Sequence, residues 1–183
     1  MIRKALSRKL LVAVFASIAL QPAFAETGKT AALPGGASSV QESYDDWTVS
    51  CRVSDARKSC MILQALGRSS GETVLSLELI PLSETQAEGI LLSPFGLKLS
   101  DGVKLSVDGK PFAKPLPFMT CVEAGCIVPV ALEADQLGQL KSGKELLVSA
   151  TNASSGAAVE LKLSLSGLKT AFDRARALLS STN

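Results

Sequence analysis

Four cysteines carry most of the chemistry open to this chain: Cys51 and Cys60, then Cys121 and Cys126. A thiol pair can close a disulfide, hold a metal or cycle between redox states, and spacing separates these uses. The redox spacing Cys-x-x-Cys does not occur. The gaps of eight and four residues also fit an all-cysteine zinc site poorly. Histidine is absent altogether, which removes the commonest general base, any Ser-His or Cys-His nucleophile pair and any histidine-ligated metal. Gly67-Arg68-Ser69-Ser70-Gly71 matches the G-x-S-x-G pattern of serine hydrolases, but that chemistry needs a strand-to-helix elbow and a histidine; here the segment lies between two expected strands and reads as a hairpin loop. Gly28-Lys29-Thr30 matches the end of a phosphate-binding loop, with Ala23 where the first glycine is required. Ser166-Gly167-Leu168-Lys169 fits S-x-x-K without the companion motifs of those enzymes, and Ser166 is expected instead to cap the last helix. Asp45, Asp46, Asp101 and Asp108 are the acids a carboxylate-dependent periplasmic enzyme could draw on. Such an enzyme needs two across a cleft, and no spacing brings two together, so they read as solvated turn acids. No cofactor or metal is expected.

Disulfides require an oxidising compartment, and the first 25 residues supply the route. Arg3, Lys4, Arg8 and Lys9 precede the uncharged run Leu10 to Leu20, and Ala23-Phe24-Ala25 presents small residues where a signal peptidase reads. The apolar run is 11 residues, against the ~20 a spanning helix needs. A leader cut after Ala25 is therefore expected, with no transmembrane segment after cleavage and a periplasmic, outer-envelope or secreted destination. Losing those four cations leaves 15 Lys and Arg against 17 Asp and Glu, a net charge of −2. A slightly acidic domain with scattered charge has no electrostatic footprint for nucleic acid.

Residues 26–44, rich in Gly, Ser, Thr and Ala, are expected to form a flexible leader, and 45–183 a single β-rich domain. Strands are expected at 47–53, 60–65, 73–80, 103–107, 127–132, 145–151 and 157–166, from alternation of apolar and polar residues. Ile90 to Leu99 should give two extended pieces about Pro94, Asp108-Gly109 a tight hairpin turn, and 133–141 a short helix. Leu168, Ala171, Phe172, Ala175, Leu178 and Leu179 recur at helical steps, the pattern of an amphipathic helix packed on a sheet. Many short strands at this spacing indicate an all-β sandwich or small barrel. The four cysteines allow three pairings. Local bridges, Cys51 with Cys60 and Cys121 with Cys126, are preferred because turn-like residues separate each pair; the crossed pairings, tying residues about 70 apart, remain alternatives of the kind immunoglobulin domains use.

Several segments, in order, resemble the invasion-associated-locus-B family of exported alphaproteobacterial proteins. They are Asp46-Trp47-Thr48-Val49-Ser50-Cys51, Cys60-Met61-Ile62-Leu63-Gln64, Ser93-Pro94-Phe95-Gly96-Leu97-Lys98-Leu99, Gly102 to Asp108, Pro117-Phe118-Met119-Thr120-Cys121 with Gly125-Cys126, and Ser164 to Leu168 with Ala171-Phe172. The family commonly has Leu-Pro-Leu-Gly and Gly-Phe where this chain has Ser-Pro-Phe-Gly and Gly-Leu. The resemblance implies an immunoglobulin-like β-sandwich with a C-terminal amphipathic helix, in the envelope, and it brings no catalytic residues with it. The expected activity is non-enzymatic binding to an envelope or host protein. The loop around Cys121 and Cys126, with Phe118, Met119, Val122 and Glu123, is the candidate binding patch. A carboxylate-dependent enzyme and a structural partner of an outer-membrane complex are the alternatives.

Overall fold

Alternating side chains and tight turns set the architecture before any long-range contact is considered. The structure, a computed structural model, describes residues 32–181 apart from 70 and 113. The expected leader peptide and the Gly28-Lys29-Thr30 segment lie outside the described residues. A meander of five strands comes first: β1 (Ser39–Tyr44), β2 (Trp47–Ser54), β3 (Arg57–Gly67), β4 (Thr73–Pro81) and β5 (Ala87–Ser93). Asp55 and Ala56, both at positive φ (50° and 57°), make the β2–β3 turn of the kind that matches strand twist. β6 (Lys104–Val107) and β7 (Lys110–Pro111) follow, joined at Asp108-Gly109. Then come β8 (Thr120–Val122), β9 (Gly125–Leu132), helix α1 (Ala134–Ser142), β10 (Glu145–Thr151), β11 (Ala158–Ser164) and helix α2 (Leu168–Ser180).

The strands form two antiparallel sheets, one of seven strands in the order β1-β2-β3-β4-β5-β9-β8 and one of four in the order β11-β10-β6-β7. Their apolar faces share one core. Val49, Ile62, Leu77, Leu91 and Val128 point inward from the large sheet, and Leu105, Leu146, Val148 and Leu163 from the small one. α2 lies on the inner side of β2 and β3 and buries Leu168, Ala171, Phe172, Ala175 and Leu178, the face its sequence period predicts. Polar ties hold it in place. Arg174 donates two hydrogen bonds to Glu42, each 2.7 Å. The Lys58 ammonium donates to Ser181 and to the Leu178 carbonyl at the helix C-terminus, where the helix dipole favours a cation. Lys141 of α1 sits 3.7 Å from the centre of the Phe172 ring, and burial pulls its pKa down from the ordinary lysine value.

Two expectations are corrected. The flexible leader placed at 26–44 does not hold over its described part: Leu33 is fully buried and Ser39–Tyr44 is a strand in register with β2, Ser39 opposite Arg52 and Tyr44 opposite Trp47. Composition hid it, because only Val40 and Tyr44 are apolar and the strand depends on β2 and α2 for its contacts. Ser166 does not cap α2. Gly167 occupies that position at φ 87° without a side-chain cap, and the Ser166 hydroxyl donates instead to Asp45 at 2.9 Å, because the β1–β2 turn brings that carboxylate within reach.

Candidate functional site

Antiparallel register decides the cysteine pairing. Cys51 and Cys60 are direct cross-strand partners on β2 and β3, with Cα atoms 4.1 Å apart and a disulfide between them. Cys121 and Cys126 are direct partners on β8 and β9, 3.9 Å apart at Cα and likewise bonded. Both bridges are local. They differ in surroundings: Cys51 and Cys60 lie in the core, whereas Cys121 is on an exposed edge strand.

The second bridge closes the hairpin that carries the candidate patch. Gly125, at φ 147°, passes so close to the Ser93 carbonyl that a side chain would collide with it, and the Ser93 hydroxyl donates to the Cys126 carbonyl at 3.1 Å. These contacts fix the β8–β9 turn beside the Pro94-Phe95-Gly96 bend. Between them and the β3–β4 loop lies an open groove of about 440 Å³, lined by Arg68, Glu72, Val74, Phe95 and Glu123 among others. Arg68 and Glu72 form an exposed ion pair at 3.0 Å, and the Phe95 ring is 59% exposed.

Of the four residues singled out from sequence, Glu123 lines this groove and Val122 is exposed on the adjoining strand. Phe118 is partly buried against the core, so its ring serves packing. Met119 is exposed but does not line the groove. Arg68, Glu72 and Phe95 were missed. An aromatic in a Pro-x-Gly bend was the available signal for Phe95; the ion pair had none, because it reaches the groove only through strand order.

Three of the four turn acids are engaged separately, and Asp46 takes part only through its carbonyl, which accepts from the Gln64 amide. Asp45 accepts the Ser166 hydroxyl. Asp108 accepts the Lys144 and Glu145 amides at 3.1–3.2 Å. Asp101 pairs with Lys98 at 3.0 Å, which lowers its pKa. The most perturbed carboxylate is Glu42, held down at about 2 by hydrogen bonds from Arg174 and Tyr44, and it ties β1 to α2. The groove therefore offers an aromatic face, an ion pair and a carboxylate, which is chemistry for contact with another molecule.

Residues 47–176 match the family described as invasion associated locus B (IalB) protein. The chain is 42% identical over 150 residues to an invasion protein B homolog of Brucella abortus strain 2308, covering 81% of this chain and 86% of that one. It is 33% identical over 177 residues to invasion protein B of Bartonella bacilliformis, covering 92% and 95%. The crystal structure of invasion associated protein b from Bartonella henselae superposes with a TM-score of 0.73 at 27% identity, covering 79% of this chain and 99% of that one.

Proposed function

The chain belongs to the invasion associated locus B family, and on that premise we propose that it is an exported envelope protein that acts by binding an envelope or host protein, not by catalysis. The groove carries the reading. An aromatic ring left 59% exposed, flanked by the Arg68–Glu72 pair and Glu123, is the kind of anchor with polar rim that protein contacts use. Relatives named as invasion proteins support the same class of activity. Export with cleavage after Ala25 accounts for both disulfides, and among the described residues no helix is long and apolar enough to cross a membrane. An immunoglobulin-like relationship is proposed for the sandwich. It draws on the two packed antiparallel sheets and the fully buried Trp47; the five-strand meander and the within-sheet bridges depart from that pattern.

The test is complementation. A deletion strain receives the wild-type gene or a Phe95→Ala, Glu123→Ala, Arg68→Ala triple variant, alongside crosslinking and pull-down from envelope fractions. The variant should melt like wild type, lose the crosslinked partner and fail to restore the phenotype. Full restoration with an unchanged crosslink pattern would overturn the groove as the contact site. N-terminal sequencing of the envelope form should begin at Glu26.

A further inference from the structure

The outward faces of the two sheets differ in kind. The small sheet shows solvent Lys104, Ser106, Ser149, Glu160 and Lys162 around a single leucine, Leu147, the polar face that a solvated antiparallel sheet normally carries. Across β3, β4, β5 and β9 the large sheet shows instead Met61, Leu63, Ile80, Ile90, Leu92 and Ile127. Ile80 is 46% and Ile90 39% exposed. α2 and the small sheet both pack on the other side, so nothing among the described residues covers this face.

We propose that a second copy of the chain covers it, the two large sheets packing face to face about a two-fold axis. Size is the first argument. Strands repeat at about 4.8 Å and rise about 3.4 Å per residue, so the face from β2 to β9 measures about 24 Å by about 20 Å. That is about 480 Å² in projection with the polar margin of β2 included, the small end of specific interfaces and suited to a weak, micromolar contact. Charge is the second. A two-fold contact must be self-complementary, and the margins are: Arg52 stands on the β2 side and Glu88 on the β5 side, while Glu78 lies within the face between Leu63 and Ile90. Among the described residues every ion pair lies elsewhere, which leaves Arg52 and Glu88 to pair across an interface. An axis along the β3–β4 line lays Met61 of one copy on Ile80 of the other and carries Arg52 towards Glu88. A lipid surface fits less well, because the face holds the carboxylate Glu78 between Leu63 and Ile90 and has neither Trp nor Tyr.

Light scattering with sedimentation velocity on the oxidised chain recovered from the envelope tests this at about 100 µM, a concentration that populates complexes of micromolar affinity. Twice the chain mass is expected. Ile90→Lys should weaken the dimer about tenfold or more and leave the melting curve unchanged, with Ile80→Lys as a second disruptor. Arg52→Glu should weaken it, and Arg52→Glu combined with Glu88→Arg should restore it. A monomeric wild type, a dimer that survives both lysine substitutions, or a charge swap that recovers nothing would each overturn the proposal. The groove variants above leave this face intact, so the two readings fail separately.

Discussion

Glu42 joins the first strand to the last helix at the level of single atoms. Its carboxylate accepts from Arg174 Nε and Nη2 and from the Tyr44 hydroxyl, each at 2.7 Å. These donors favour the charged form and hold its pKa at about 2, below the ordinary 4.5. A depressed carboxylate contributes stability that is full above its unfolded value and lost as pH falls through its folded value, here from about 4.5 down through about 2. Both side chains keep partial contact with water, so screening reduces the contribution to on the order of 1 kcal/mol. Glu42→Gln should therefore lower the neutral-pH melting temperature and flatten the decline between those pH values. Circular dichroism melts across the acid range would show it, and a variant with the wild-type acid limb would refute it. Gly167 is the second residue on which the helix depends. Its φ of 87° favours glycine, and a Cβ there would run into the Tyr44 carbonyl. Backbone strain and collision together should cost Gly167→Ala about 2 kcal/mol or more, read as a lower urea midpoint.

The two bridged hairpins have the same design and opposite exposure. Each disulfide closes a short loop, with sequence separations of 9 and 5, so removing either should cost about 2–3 kcal/mol on the loop-entropy estimate. Access separates them. Cys51 and Cys60 are 1% and 3% exposed, while Cys121 meets solvent on an edge strand. Mild dithiothreitol followed by alkylation and peptide mapping should label Cys121 and Cys126 first; equal labelling of all four would show that the first hairpin opens as readily as the second. The hairpins were also the most legible elements in the sequence, because alternation and turn residues are local signals. β1 was illegible for the complementary reason: Val40, Glu42 and Tyr44 form its inward side only once β2 and Arg174 are present. The groove was half legible. Glu123 stood beside a cysteine pair that drew attention, whereas Arg68, Glu72 and Phe95 come from two other segments and meet it through sheet order. Phe118 misled because an aromatic in a loop reads as a contact residue, and only tertiary packing shows that it turns inward.

For the whole molecule, α2 stands where a sandwich would place more of its second sheet. The large sheet has seven strands and the small one four, and the helix contacts β1 to β4 across the difference. The fold therefore closes with its last element, and the meander cannot bury its inner face until that helix docks. Leu168, Phe172 and Leu178 are 0–1% exposed, and burying such side chains is worth about 1.5–3 kcal/mol each. Their sum, roughly 5–9 kcal/mol, is comparable with the roughly 5–15 kcal/mol by which a domain is stable. A chain ending after Gly167 should consequently lose its cooperative melt, and Trp47, fully buried and donating to the Ser164 carbonyl at 3.0 Å, should shift its fluorescence to that of a solvated indole. The graded version is Phe172→Ala, which empties a fully buried site under Lys141 and should cost about 3–5 kcal/mol with the fold still formed. If the truncated chain kept a sharp transition and a buried tryptophan, the helix would be an accessory and the eleven described strands would be stable without it.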